Sequence, residues 1–138
     1  MMREAEISGN ETAAIKAVRT VFQAYADRNR AAIEQVLAED FHFSSPRDNR
    51  IGREIYFARC WPQSETIADF KFLYLAQDGE QVFATLEARN KKGYRFRNTE
   101  IWSFRRGKLV EAEVYFGWTL PHEAPPGGFI DMPKGNAP

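Results

Sequence analysis

The spacing of apolar residues along the chain changes from a helical to an extended pattern near residue 67. Before that point, apolar residues recur every three or four positions, which predicts three helices. These cover residues 12–27, 31–38 and 53–61. Ser8 or Asn10 is predicted to cap the first helix, and Pro62 is expected to end the third. Between the second and third helices we predict a short strand over residues 40–46 and a polar loop over residues 47–52.

From residue 67 onward, alternating polar and apolar residues separated by turn signals predict an antiparallel meander. The four predicted strands cover residues 70–77, 81–90, 94–105 and 108–118. Helices followed by strands indicate an α+β domain, in which three N-terminal helices pack on a strongly curved antiparallel sheet that forms a cone with an internal pocket. We assign residues 1–118 to this single domain. Residues 119–138, rich in proline and glycine, are expected to form a C-terminal tail without regular structure.

The last two predicted strands each have one apolar and one charged face, because side chains alternate across a strand. The inward face of residues 94–105 is formed by Tyr94, Phe96, Asn98, Glu100, Trp102 and Phe104. The inward face of residues 108–118 is formed by Val110, Ala112, Val114, Phe116 and Trp118. The opposite faces are rich in arginine and in glutamate, which predicts ion pairs between these two strands.

Glu100 and Asn98 are the polar residues at the centre of this apolar face. A carboxyl group among aromatic side chains loses hydration, and its pKa rises unless a partner compensates. Such a group in an apolar cavity is a candidate general acid or base, and the nearby amide could orient a substrate or a water molecule. Two alternatives stay open. Glu100 could lie at an edge or pair with an arginine, or the two side chains could form a hydrogen-bonded pair that fixes strand register.

Composition and charge narrow the range of partners. Of the 138 residues, 43% are hydrophobic and 14% aromatic, which is typical of one globular domain with a sizeable core. The 19 basic and 19 acidic residues give a formal net charge of +0, so no nucleic acid and no membrane is expected as a partner. With no secretory or membrane-spanning pattern and with Cys60 as a lone cysteine, we expect a cytoplasmic protein. Histidines and cysteine are scattered and no phosphate-binding glycine loop is present, so neither a metal nor a cofactor is predicted.

Several segments resemble the nuclear transport factor 2-like superfamily, and within it the SnoaL-like and ketosteroid-isomerase-like branch. They are residues 24–29 (AYADRN), residues 37–41 (LAEDF), the turn at Pro46 and residues 107–117 (GKLVEAEVYFG). The resemblance spans roughly residues 12–118. It implies the cone-shaped fold and a homodimer formed through the convex face of the sheet. The superfamily contains isomerases, cyclases, dehydratases, epoxide hydrolases and non-catalytic binders, so the resemblance specifies fold more narrowly than activity.

The resemblance to ketosteroid isomerases is incomplete at the positions of their catalytic groups. Their aspartate before the proline that follows the first strand corresponds to Ser45, and the tyrosine of their oxyanion hole corresponds to Val21. Their acid on the penultimate strand corresponds to Glu100. SnoaL-like proteins often carry an acid directly after the aromatic pair of the last strand, where this chain has Gly117. Steroid isomerisation is therefore not expected.

Two functions are consistent with these observations. The leading hypothesis is a cofactor-independent isomerase, cyclase or dehydratase, with Glu100 and Asn98 acting on an apolar carbonyl or cyclic compound. The alternative is a non-catalytic ligand-binding or sensing module, dimeric through the sheet face. In both cases the predicted pocket residues are Tyr25, Ser45, Val21, Phe43, Trp61, Trp102 and Phe116.

Other polar residues near the predicted pocket have simpler interpretations. Cys60 is interpreted as a packing residue. Arg47, Arg50 and Arg53 are interpreted as part of a solvated loop, with an acidic substrate at the cavity mouth as the alternative. His122 lies in the tail and would cap the pocket only if the tail folds back.

Overall fold

The computed structural model describes residues 11–131. Its helices are α1 (Ala13–Asp27), α2 (Arg30–Val36) and α3 (Arg53–Cys60), with a 3₁₀ turn over Trp61–Glu65 after α3. Its strands are β1 (Leu37–Ser45), β2 (Asp48–Gly52), β3 (Ile67–Asp78), β4 (Gln81–Asn90), β5 (Arg95–Arg105) and β6 (Lys108–Leu120). Among the helices of this part of the chain, none is both long enough and apolar enough to cross a membrane.

The six strands form one sheet in the order β2-β1-β6-β5-β4-β3. Neighbouring strands are antiparallel except β1 and β6, which run parallel. The predicted α+β class, with three helices on a curved sheet, is confirmed, but the sheet is mixed rather than wholly antiparallel. A parallel pair needs a long connection, and here α3 and the strands β3 to β5 separate β1 from β6 along the chain.

The strand β2 lies where we predicted a polar loop over residues 47–52, and that prediction was wrong. Asp48–Gly52 pairs antiparallel with β1, which places Ser45 opposite Asp48 and Phe43 opposite Ile51. Because β2 is short, polar and at the edge of the sheet, its sequence lacks the apolar alternation by which a strand is recognised. This hairpin brings Asp48 beside Ser45, at the end of β1 that faces the cavity.

The first helix begins one residue later than predicted. Thr12 is its N-cap, and the Thr12 Oγ1 accepts a hydrogen bond from the backbone N–H of Ile15 at 3.2 Å. The predicted caps Ser8 and Asn10 lie outside the described residues. A hydroxyl at this position satisfies one of the free N–H groups of the first turn.

The ends of the second and third helices also differ from prediction. α2 ends at Val36 rather than at residue 38, because β1 already begins at Leu37. Pro62 does not stop the helical path after α3 but lies in the first turn of the following 3₁₀ segment. Proline is tolerated there because the first turn needs no N–H donor.

The main core lies between α1 and the concave face of the sheet. The ring of Phe22 packs edge-on against that of Phe72, with centroids 5.0 Å apart, and Trp102 lies 6.4 Å from Phe22. The side chains of α1 that are buried in this core are Ala14, Ala17, Val18, Val21 and Ala24. The small alanines let the helix approach the sheet closely on one side, whereas the cavity opens beside the larger residues of its last turns.

Two irregularities in the pairing of β5 with β6 change which residues face inward. At the first, Leu109 is fully buried and Val110 lines an outer groove, so the predicted inward position of Val110 was wrong. At the second, a Cβ atom added to Gly117 would lie 2.5 Å from the carbonyl oxygen of Arg97, so this position requires glycine. β6 then continues to Leu120, which places residues 119–120 in a strand rather than in the predicted irregular tail.

The convex face of the sheet is charged at one end and uncharged in the middle. Arg95 and Arg97 lie 3.6 and 3.3 Å from carboxylate oxygens of Glu87, so these two ion pairs of β5 run to β4, whereas we had predicted pairs with β6. Next to them, one row of paired residues crosses four strands: Tyr74, Thr85, Thr99 and Tyr115.

Candidate active-site cavity

A mainly apolar cavity of about 890 Å³ opens between the helices and the concave face of the sheet. Trp61, which was predicted to line it, instead packs against the ring of Tyr25 with a centroid distance of 5.1 Å. Trp61 lies in the 3₁₀ turn that follows α3. The lining includes the other predicted site residues: Val21, Tyr25, Phe43, Ser45, Asn98, Glu100, Trp102 and Phe116.

Glu100 lies at the centre of the concave face. Its backbone pairs with Ala84 on one side and Val114 on the other, so its position is held by the middle of the sheet. The residue is 9% exposed, and its Oε1 accepts a hydrogen bond from the Nε1 of Trp102 at 3.0 Å. Among residues 11–131, no protein group binds the Oε2 atom, so this oxygen is available to a molecule in the cavity.

The surroundings of Glu100 change its acidity. Burial raises the pKa of Glu100 from 4.5 to about 7, and the hydrogen bond from Trp102 opposes this rise. The protonated and ionised forms are therefore both populated near neutral pH, which is the condition for a group that gives and takes protons. The alternative in which an arginine pairs with Glu100 was wrong, because the bond that the structure shows comes from an uncharged indole.

Two tyrosine hydroxyls meet in the cavity wall. The Oη atoms of Tyr25 and Tyr56 lie 2.8 Å apart, so the partner of Tyr25 is a second tyrosine. Burial raises the pKa of both phenols, and the charge of Glu100 contributes to the rise in each case. In a pair of neutral hydroxyls one donates to the other, which leaves one O–H free to donate to a third group.

A polar cluster lies at another part of the same cavity. The Oδ2 of Asp48 accepts a hydrogen bond from the Oγ of Ser45 at 2.8 Å, and its Oδ1 accepts one from the Nε of Arg59 at 2.6 Å. Burial alone would raise the pKa of Asp48, but the bonds from Ser45 and Arg59 and the charges of Arg59 and Arg47 together lower it. Asp48 is therefore an ionised carboxylate whose two oxygens are both engaged.

Cys60 is a further lining residue of the cavity. Burial raises the pKa of the Cys60 thiol to about 12, and the charges of both Asp48 and Glu100 add to the rise. A thiol that stays protonated at neutral pH is a poor nucleophile, in line with its interpretation as a packing residue. Within residues 11–131, no three His, Cys, Asp or Glu side chains are grouped so that they could hold a metal ion.

Asn98 faces the cavity next to the second irregularity of β6. Its Oδ1 accepts a long hydrogen bond, 3.4 Å, from the backbone N–H of Gly117. The amide therefore helps to position the irregular segment, while its NH₂ group remains available as a donor. Asn98 and Glu100 are thus engaged by different partners, Gly117 and Trp102, in contrast to the mutual pair that we considered as an alternative.

The segment after β6 folds back along the cavity. His122 and Ile130 contribute to the lining, and the His122 ring packs 5.6 Å from that of Trp118. The Nδ1 of His122 accepts a hydrogen bond from the N–H of Ala124 at 2.9 Å, which leaves the other ring nitrogen, Nε2, as the one that carries the proton in a neutral ring. We expected His122 to reach the pocket only if the tail folds back, and this segment does fold back. Half-exposed Phe116 and Trp118 form part of the rim.

A SnoaL-like domain model matches residues 18–112 of the sequence. This chain belongs to the SnoaL-like family. The match covers more than half of the chain. Among curated proteins, none matches the chain.

Several solved structures share this SnoaL-like fold. A protein from Kribbella flavida, provisionally named a ketosteroid isomerase, is 17% identical with a TM-score of 0.65, covering 89% of this chain and 92% of that one. An epoxide hydrolase of the LEH-like type from M. tuberculosis is 17% identical with a TM-score of 0.64, covering 76% and 83%. A protein from Sinorhizobium meliloti, provisionally named a polyketide cyclase, is 16% identical with a TM-score of 0.61, covering 72% and 93%. At these identities the likeness concerns the fold.

Three polar residues of the cavity were not recognised from the sequence. Asp48 was assigned to a loop, and Arg59 and Tyr56 had no assigned role. Tyr56 carries a weak signal, because it lies four residues before Cys60 on the same side of a predicted helix. Asp48 and Arg59 carry none, since their meeting depends on the β1–β2 hairpin and on the way α3 packs against it.

Proposed function

We propose that the cavity binds a small, mainly apolar carbonyl or cyclic compound and that Glu100 transfers a proton to or from it, in an isomerase, cyclase or dehydratase reaction. The observation that carries this proposal is the buried Glu100 carboxyl with one oxygen free toward an apolar cavity. Its pKa of about 7 supports the same assignment. No cofactor is part of the proposal.

The donors around Glu100 suit a carbonyl oxygen. In its protonated form, Glu100 would donate from Oε2 to that oxygen, and the free O–H of the Tyr25–Tyr56 pair would act as a second donor. In its ionised form, Glu100 would instead take a proton from the carbon next to the carbonyl, and the tyrosine O–H alone would stabilise the negative charge that develops on the carbonyl oxygen. The protonated Glu100 would then return this proton to another atom of the compound. The NH₂ group of Asn98 would orient the compound.

A neutral fluorescent ketone tests the role of Glu100 directly. Prodan, a naphthyl ketone whose emission shifts to longer wavelength when its carbonyl accepts a hydrogen bond, is titrated into the protein from pH 5.5 to 8.5. We expect the affinity to fall about fivefold as Glu100 ionises near pH 7, with a blue shift of the bound emission. In Glu100→Gln both quantities become independent of pH.

The matched control for this experiment is Glu113→Gln. Glu113 is a glutamate of β6 on the convex face, where its carboxylate accepts a hydrogen bond from Tyr115 at 2.8 Å. This variant should keep the wild-type pH profile. Wild type and Glu100→Gln giving the same profile across this range would remove Glu100 as a proton carrier.

A second candidate function is a non-catalytic ligand-binding or sensing module. Two observations favour it: the Ser45 hydroxyl is bonded to Asp48, which also accepts a bond from Arg59, and the side chain at Val21 is apolar. Among the described residues near Glu100, no second acid or base is therefore free. Native mass spectrometry of the purified protein would support this function if it reports a bound apolar compound that is released unchanged. Consumption of any apolar carbonyl compound in a screen would argue for the catalytic proposal.

We further propose a cytoplasmic homodimer formed through the convex face of the sheet. The Tyr74-Thr85-Thr99-Tyr115 row supports this, because its two tyrosines are 56% and 52% exposed on an otherwise uncharged strip. In a dimer with a two-fold axis at this row, each tyrosine would face either the same tyrosine or the other tyrosine of the partner subunit. Light scattering tests the dimer, with Tyr115→Arg expected to give monomers. A strict monomer in the wild type at high concentration would contradict it.

A further inference from the structure

Two arginines of the cavity have hydrogen-bond donors without acceptors. Arg59 donates its Nε to Asp48, and this bond leaves its two terminal nitrogens without a partner among residues 11–131. The side chain of Arg47 likewise has neither a hydrogen-bond acceptor nor an ion-pair partner among the described residues. Both arginines line the cavity. A guanidinium offers several N–H donors in a planar fork, so this part of the wall presents more donors than the protein uses.

The neighbouring arginines are engaged elsewhere, which separates Arg47 and Arg59 from a merely basic loop. Arg50 pairs with Glu111 on the convex face at 3.3 Å. Arg53 donates to the backbone oxygen of Glu34 at 2.7 Å. Of the arginines near β2 and α3, then, Arg47 and Arg59 are the ones that line the cavity.

The acidic groups at this end of the cavity do not use up these donors. Asp48 is already bonded by Ser45 and Arg59, so both of its oxygens are engaged. Glu123, on the segment after β6, is a further carboxyl group of the lining, and among the described residues no bond joins it to either arginine. Arg97 also contributes to the lining, but it pairs with Glu87. Arg47 and Arg59 are both exposed at the mouth of the cavity, with 53% of the Arg59 side chain accessible, so their open donors face solvent and an acceptor on a ligand would replace water there.

We infer that the ligand of this cavity is an apolar carboxylic acid, whose carboxylate is bound by Arg47 and Arg59 while its apolar body extends to Glu100. This inference rests on the proposed function and adds the substrate class. A planar carboxylate matches the guanidinium fork and can receive two parallel N–H bonds from one arginine. Because Arg59 is fixed by its bond to Asp48, it loses little conformational freedom when it binds the ligand.

The two carboxyl groups of the cavity respond to different neighbours, although the charges of both act on the Cys60 thiol. The carboxyl of Glu100 responds to its own burial and to Trp102, whereas Asp48 responds to its burial, to Ser45 and to the arginines. A carboxylate at the arginines would therefore leave Glu100 free to act on a carbonyl or ring at the other end.

A pair of fluorescent probes tests the substrate class. 1-Pyrenebutyric acid and 1-pyrenebutanol share the same apolar body and chain, and they differ in carrying a carboxylate or a neutral hydroxyl. Fluorescence anisotropy at pH 6, where the acid is ionised and Glu100 is mainly neutral, gives the dissociation constant of each. We expect the acid to bind the wild type about tenfold more tightly than the alcohol, with a smaller advantage at high salt.

Variants of the arginines assign this advantage to specific groups. Arg47→Gln should reduce the preference for the acid about threefold, and Arg47→Gln/Arg59→Gln should abolish it, while the affinity for the alcohol stays within about twofold. Arg50→Gln is the matched control, because it removes the same charge from the same hairpin on the convex face, and it should keep the preference. Since Arg59→Gln also leaves Asp48 without its charged partner, its fold is checked by circular dichroism. The single Arg47→Gln variant tests the inference independently of that outcome.

Equal binding of acid and alcohol by the wild type would overturn the carboxylate inference while leaving the proposed apolar cavity in place. A preference that survives the double variant would also overturn it. If neither probe binds, the proposed function fails and the inference fails with it. Loss of the pH profile of prodan in Glu100→Gln, together with equal binding of the two pyrene compounds, would leave the proton-transfer proposal standing alone.

Discussion

Glu100 and Asp48 are carboxyl groups of one cavity, but the protein gives them opposite properties. Glu100 lies in the centre of the sheet, where its one protein donor is an indole, and burial raises its pKa to about 7. Asp48 lies in a hairpin at the edge of the sheet, where Ser45 and Arg59 offset the effect of burial and lower its pKa. A carboxyl in an apolar site becomes a proton donor near neutral pH, while one that is fully bonded becomes a fixed charge. The comparison teaches that burial raises the pKa of a carboxyl unless charged and hydroxyl donors offset it.

The largest effect is expected on the pH dependence of the free energy of unfolding, when Glu100 is replaced by a residue that does not titrate. The ordinary pKa of Glu100 is 4.5 and its pKa in the folded protein is about 7. At pH values between these two, the carboxyl keeps its proton in the folded protein but has lost it in the unfolded chain. The stability associated with this proton is fully present below pH 4.5 and is lost as the pH rises through 7, by about 3 kcal/mol for this one group. Urea unfolding of Glu100→Gln should lack this component between pH 5 and 8, with Glu113→Gln as the unchanged control. If Glu100→Gln and the wild type lose stability equally over this range, Glu100 does not titrate as proposed.

Asp48 should show the opposite dependence on pH. Its lowered pKa means that its contribution to stability is present above its ordinary value of 3.8 and is lost as the pH falls below it. Asp48→Asn removes the charge-assisted bond to Arg59 and should cost about 1–2 kcal/mol at pH 7 and less near pH 3. The exposed pair of Asp69 with Arg89 at the β3–β4 edge is the matched control. Asp69→Asn should change the free energy of unfolding by about 0–1 kcal/mol. Equal losses in both variants would mean that the cavity pair is no stronger than a surface pair.

The Tyr25–Tyr56 pair provides a test of the surroundings of Glu100. Tyr56→Phe leaves the hydroxyl of Tyr25 without its partner in a buried position, and it should cost about 1 kcal/mol of unfolding free energy. It should also weaken prodan binding at pH 6, because one donor beside the carbonyl is lost. Tyr115→Phe, which removes an exposed hydroxyl bonded to Glu113, serves as the control and should leave both quantities unchanged. Unaltered prodan binding in Tyr56→Phe would exclude the pair from the site.

The smallest effect is expected at the bond between Trp102 and Glu100. This bond favours the ionised carboxylate, so Trp102→Phe should raise the pKa of Glu100 and move the midpoint of the prodan profile to higher pH by a fraction of a unit. Trp118→Phe, at the cavity rim, should leave the midpoint in place. A midpoint that moves to lower pH in Trp102→Phe would show that the indole bond does not stabilise the charged form.

Local patterns along the chain predicted most of the secondary structure. The strand over residues 81–90 and the short turns on the chain before it and before residue 108 were placed as observed, because alternation and turn residues act over short distances. β2 was missed because a short polar edge strand is defined by its partner, β1, rather than by its own sequence. The inward position of Val110 was predicted wrongly because an irregularity in strand pairing shifts every side chain beyond it, and this shift depends on two strands together.

The sequence by itself determined that Glu100 lies on an apolar strand face with Asn98, since the period of two depends on backbone geometry alone. It also determined the family, through several short segments spread along the chain. The tertiary structure decided that an indole, and no guanidinium, is the partner of Glu100, and that Asp48, Arg59 and Arg47 meet at the other end of the cavity. Such contacts join residues from separate elements, and the energies that set a pKa fall off over a few ångströms, so they follow from packing rather than from any local pattern.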